Sequence, residues 1–182
     1  MNYLILGTTI FFLIHVLPST SLKKMLSTNF GPAPYKISFS LISLLGLGLM
    51  IYGYSQSTFQ PLWTPPSWGR VVLMLVMPIV CVLLVAAEAP NNIKRFVRHP
   101  MLIAMTIWGA AHLIGNGDLA STIIFASFAI FSIINIVMVN ARGPYSSPEA
   151  VSPIWDVAVI ALGLLVYGLL FYFHGTITGM PI

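Results

Sequence analysis

Charge is scarce in this sequence. Only 7% of its 182 residues are Asp, Glu, Lys or Arg, where a water-soluble domain carries about a quarter. With 58% hydrophobic residues, the chain cannot clothe a surface in water, so lipid is its expected solvent. Cysteine is reduced to Cys81, which excludes an internal disulfide and a cysteine-based zinc cluster. Acidic residues number four, Glu88, Asp118, Glu149 and Asp156, all near helix ends or in loops. No G-x-S-x-G elbow accompanies them, which removes a serine hydrolase. Basic residues form no stripe interleaved with aromatics, so no nucleic-acid partner is expected. Repeats, low-complexity tracts and a soluble second domain are missing too, and residues 1–182 read as a single transmembrane domain.

What is present is long apolar runs. Six segments approach the ~20 residues that a membrane helix needs: Tyr3–Ser21, Tyr35–Ser55, Val71–Ala87, Pro100–Asn116, Leu119–Asn140 and Trp155–His174. The fold class is therefore all-α, a polytopic membrane bundle of about six helices. The first run has no Lys or Arg before it and no A-x-A-like cleavage site after it, so a retained span is expected rather than a signal peptide. The GNGD turn makes the fourth and fifth segments antiparallel neighbours, with Asp118 placed to cap the fifth. Pro100 suits a helix start, and Pro78 falls inside the third segment, where it should kink the helix.

The basic residues orient the chain. Lys23, Lys24, Lys36, Lys94, Arg95, Arg98 and Arg142 fall on the connections after segments one, three and five, against Arg70 alone on the other side. The positive-inside rule puts those connections in the cytoplasm and both termini on the periplasmic side of a bacterial inner membrane. The outer loop QSTFQPLWTPPSWGR, with Trp63 and Trp68, reads as an interfacial belt. Glu88 is most simply an ion-pair partner for the Lys94–Arg95–Arg98 cluster, and the other acids are turn or cap residues.

An ionisable side chain inside a membrane helix is costly, and the histidines are the candidates at depth. His174 ends the last segment, where its ring can reach the headgroups. His99, between Arg98 and Pro100, is either a solvated helix start or, with Arg98, a receptor for an anionic group. His15 and His112 lie deeper. By a rise of ~1.5 Å per residue, they stand on the order of 5 Å to one side of mid-membrane and 6 Å to the other, about 11 Å apart along the normal. Two imidazoles on opposite faces of one metal, with bonds of ~2 Å, have Cα atoms on the order of 12 Å apart. Phe11 and Trp108 each precede a histidine by four residues and share its helical face. Two readings stay open from spacing: interhelical hydrogen bonding, or axial ligation of a porphyrin. Zinc lacks further ligands at that depth, whereas haem needs only axial ligands and an apolar slot.

The stretches FFLIHVLPS, PLWTPPSWGRVV and APNNIKRFVRHPMLIAMTIWGAAHLIGNGDLAS resemble the NnrU family of bacterial membrane proteins. The most specific elements are RHP, the AH histidine thirteen residues later, and the NGDLAS turn. That family is associated with denitrification and nitric-oxide metabolism. It is similar to the zeta-carotene isomerase of plastids, a membrane enzyme that uses haem b to turn a cis double bond to trans. The resemblance implies haem b held by His15 and His112, with His99 matching the RHP histidine and Arg98 and His99 lining the site or reaching a propionate. It implies either isomerase-like chemistry on an apolar polyene or the handling of a small nitrogen-oxide ligand. A non-enzymatic accessory role toward a respiratory membrane partner is the alternative. The isomerase has a cysteine three residues before its AH histidine, where this chain has Gly109, so haem binding can carry over without that activity. RHP also resembles a motif of isoprenylcysteine-type membrane methyltransferases, but the paired glutamates of those enzymes are reduced here to Glu149.

Overall fold

The computed structural model describes residues 1–180, and every described element of regular structure is helical. In chain order these are α1 (Asn2–Val16), a 3-10 turn (Leu17–Ser19), α2 (Ser21–Phe30), α3 (Pro32–Ser55), α4 (Gly69–Glu88), α5 (Ile93–Phe96), α6 (Pro100–Gly115), α7 (Leu119–Asn140) and α8 (Ile154–Thr178). Five spans are long and apolar enough to cross a membrane: α1 with its 3-10 turn, α3, α4, α7 and α8. The sixth apolar helix, α6, has 16 residues and is about 24 Å long at 1.5 Å per residue, short of a ~30 Å hydrocarbon core.

Large apolar side chains face outward, Leu13, Leu41, Leu75 and Val137 among them, while alanine and serine fill buried positions such as Ala86, Ala104, Ser121 and Ser132. Only 11% to 22% of each spanning window is buried. This is the inverse of a water-soluble core and the arrangement lipid favours, with small residues letting helices approach. The all-α, multi-pass architecture is thus as the sequence leads one to expect.

Contacts cluster into two compact units. The first comprises Met1–Leu62 and Asp118–Ile124. Within it α1 and α3 touch backbone to backbone, because Gly7, Gly46 and Gly53 present no side chain. A Cβ on Gly46 would stand 2.8 Å from the Phe11 nitrogen, and one on Gly53 would strike the Leu4 backbone. Asp118 caps α7 as expected, its Oδ1 accepting from the Ser121 N–H at 2.9 Å. Tyr54 and Ser121 share a hydroxyl hydrogen bond of 3.2 Å, and the Leu119 N–H donates to the Gln60 carbonyl.

One element of this unit departs from expectation. The first apolar run does not continue to Ser21: α1 ends at Val16, and Pro18, lacking an N–H, falls in the 3-10 turn that follows. The basic connection beyond it is itself a helix, α2. Leu22, Met25, Leu26 and Phe30 recur at helical spacing there, with Lys23 and Lys24 between them, the pattern of a helix lying in the membrane interface.

The second unit comprises Trp63–Gly117 and Phe125–Ile182. Val80 and Leu83 of α4 pack on Ala104 of α6, with Ile107 and Trp108 alongside. Gly163 brings α8 against α4, where an added Cβ would lie 2.6 Å from the Val82 Cα. Pro78 interrupts the hydrogen-bond ladder of α4 and deprives the Met74 carbonyl of its donor. The Tyr167 hydroxyl, from α8, donates to that carbonyl at 3.1 Å. In lipid no water would have done so.

The loop into α5 is bound as firmly. Asn91 donates to the carbonyls of Ala86 and Ala89 at 2.7 Å each. Asn92 gives its backbone N–H and its Nδ2 to the two oxygens of Asp156, at 2.6 and 2.7 Å. Nδ2 also donates to the Val151 carbonyl, and Oδ1 accepts from the Val151 N–H. Asp156 is accordingly a clamp between the start of α8 and the loop before α5, more than the local turn residue its position suggests.

Candidate functional site

Two half-buried histidines sit in the two units with the same local construction. In the first unit His15, in the last turn of α1, places Nδ1 at 2.6 Å from the Phe11 carbonyl oxygen. A carbonyl can only accept, so Nδ1 carries a proton, and in the neutral ring the lone pair then belongs to Nε2. The Phe11 ring lies 4.2 Å from the imidazole, and Phe39 of α3 meets it edge-on at 5.2 Å. Gly46, against the Phe11 backbone, sets how closely α3 can bring Phe39. Two buried hydroxyls on α3, Tyr35 Oη and Ser43 Oγ, have no hydrogen-bond partner among the described residues. Each stands four positions from Phe39, one on either side.

In the second unit His112 of α6 repeats the pattern. Its Nδ1 donates to the Trp108 carbonyl at 2.9 Å, so Nε2 again bears the lone pair. Phe125 of α7 stacks on the imidazole at 4.5 Å, and Trp108 lies 5.0 Å away. Trp108 itself packs edge-on against Phe125 and Phe128. Here the close approach belongs to Gly109, where a Cβ would stand 2.5 Å from the Phe125 carbonyl oxygen. Gly109 therefore cannot take a side chain without moving α7.

A bond to the carbonyl four residues back is also how Thr8, Thr106 and Asn135 satisfy themselves in this apolar setting. For a hydroxyl that bond suffices. For an imidazole it accounts for one nitrogen and fixes the other as a base, which is how metal-ligating histidines are held by their surroundings. A metal held by protein ligands alone is not offered: among the described residues no three of His, Cys, Asp and Glu cluster. Each unit by itself offers one imidazole in an aromatic lining.

Arg98 and His99 lie at the opposite end of α6 from His112, about 20 Å along its axis at 1.5 Å per residue. Arg98 Nη2 donates to the carbonyls of Val139 at 3.3 Å and Gly143 at 2.9 Å, capping the end of α7, and the guanidinium lies 5.5 Å from the Tyr145 ring centre. A cation at a helix C-terminus completes both the orphan carbonyls and the dipole. His99 shares a hydrogen bond with Asn140 Oδ1, 3.0 Å from Nε2. Glu88, expected to pair with the basic cluster, forms no ion pair among the described residues; Lys94 Nζ donates instead to the Ala87 carbonyl at 3.3 Å. His174 donates from Nδ1 to the Met180 carbonyl just past the end of α8.

Apolar helices, outward-facing large side chains and glycine-mediated contacts define a multi-pass helical membrane protein. Within that class the chain belongs to the NnrU family, matching the family described as NnrU protein over residues 3–182. No curated protein and no solved structure matches it.

Proposed function

We propose that this NnrU-family protein binds haem b, with His15 and His112 as its axial ligands. One observation carries the reading. Each imidazole commits Nδ1 to the carbonyl of an aromatic residue four positions earlier, and each thereby keeps Nε2 as the basic nitrogen. Phe11, Phe39, Trp108 and Phe125 supply the flat apolar lining that a porphyrin favours. The unpartnered hydroxyls of Tyr35 and Ser43 offer polar contacts beside the first ring. Arg98 and His99 lie about 20 Å along α6 from His112, too far to touch the iron.

Held by His15 and His112, haem b would supply a one-electron couple, and iron chemistry toward a nitrogen oxide or a polyene. What this chain's own residues do is hold two imidazoles in one tautomer and exclude water from them. Gly109 bears on the choice of reaction. With no room for a side chain there, no cysteine at that position can assist ligand exchange. That favours a non-enzymatic accessory to a respiratory membrane partner over an isomerase as the second reading. The basic connections support a bacterial inner-membrane setting with both termini periplasmic.

The test is haem content after expression with a haem precursor supplied. Wild-type protein purified in mild detergent is expected to carry a Soret band and protohaem by the pyridine assay. The combined His15→Ala, His112→Ala protein should lose both while keeping its helical circular dichroism. A folded, colourless wild type leaves the haem-free accessory role as the better account.

A further inference from the structure

We infer that the second unit holds a phospholipid whose headgroup carries both a phosphate and a primary ammonium. Two depressions meet at the exposed Glu88, where α4 ends. One, of about 300 Å³, is lined by Glu88, Lys94, Arg98 and His99, with Met101 and Leu102 of the first turn of α6. The other, of about 460 Å³, is apolar apart from Glu88 and is lined by Leu84, Val85, Ala89 and Leu162. A polar depression and an apolar one that share Glu88 in their linings together suit the two ends of an amphiphile.

Charge selects the headgroup. Two full cations and one carboxylate line the polar pocket, yet among the described residues none is paired with another. Lys94 donates to the Ala87 carbonyl, and Arg98 to the carbonyls of Val139 and Gly143. Both protons of Arg98 Nη2 are used there, which anchors the guanidinium and leaves Nη1 and Nε to donate outward. Such a fixed, uncompensated guanidinium suits a phosphate. A purely anionic group, a haem propionate included, would have Glu88 against it. A zwitterion satisfies both poles, with phosphate on Arg98 and Lys94 and ammonium N–H groups on the Glu88 carboxylate. Trimethylammonium has no N–H to give. This assignment is independent of the haem reading.

Native mass spectrometry of the intact protein, exchanged into equimolar phosphatidylethanolamine, phosphatidylglycerol and phosphatidylcholine, tests it. Retention of the ethanolamine lipid is expected to exceed the choline lipid by about tenfold, a difference of about 1.4 kcal/mol. Glu88→Gln should erase that preference, while Lys94→Gln should weaken retention of all three lipids. Preference for phosphatidylglycerol in the wild type, or an ethanolamine preference unchanged in Glu88→Gln, would overturn the inference. So would glycerophosphoethanolamine, which lacks acyl chains, displacing the lipid at equal concentration. That result would leave a soluble phosphate ester as the ligand.

Discussion

The two histidine sites are built alike from different parts, and the difference separates what is required from what is incidental. Both use an aromatic residue four positions before the histidine, a carbonyl acceptor for Nδ1, and a second ring from the neighbouring helix. The glycine that permits the approach is on the neighbouring helix at His15, where Gly46 of α3 meets Phe11, and on the histidine's own helix at His112, where Gly109 meets Phe125.

The largest way to break this symmetry is to separate the helices. Gly109→Val places a Cβ against the Phe125 backbone, which cannot swing aside as a side chain can. Its cost should reach or exceed the ~1–3 kcal/mol usual for overpacking. Thermal unfolding in detergent should show a loss of several degrees, and Gly46→Val should do the same from the first unit. A stability equal to wild type in either variant would deny that glycine sets the site's width.

A smaller effect concerns the proline break that only a neighbouring helix can mend. Tyr167→Phe strands the Met74 carbonyl and should cost about 0.6–2 kcal/mol. The same change in a Pro78→Ala background should cost measurably less, since the helix then supplies its own donor. Equal penalties in the two backgrounds, measured as a double-mutant cycle, would mean that Tyr167 acts elsewhere. Smaller again are the ring partners. Phe39→Leu and Phe125→Leu should each remove about 0.5–1.5 kcal/mol of aromatic contact, leaving the protein folded. The matched design predicts similar losses at the two sites.

Much of this was legible beforehand. Apolar run length located the spans, the short fourth segment included, and GNGD announced both a turn and the Asp118 cap. Phe11 and Trp108 were readable as companions of His15 and His112, because four residues is local spacing. Phe39 and Phe125 were not, since periodicity says nothing about which face of another helix arrives. The helix α2 was hidden by its lysines, although Leu22, Met25, Leu26 and Phe30 carried the period. Arg98 looked like a ligand-binding charge, and in the structure it caps α7. Glu88 looked paired and is not, because Lys94 finds a carbonyl instead. Asn92 and Asp156 gave no sign of each other, being 64 residues apart in sequence.

The most direct test of the central claim is low-temperature electron paramagnetic resonance of the oxidised, haem-loaded protein and its single variants. The wild type should give a low-spin ferric signal of two imidazole ligands. His15→Gly and His112→Gly should each turn high-spin, and added imidazole should restore the low-spin signal in both. A low-spin signal that survives in either glycine variant without imidazole would contradict the assignment of that histidine, and with it the paired-ligand account.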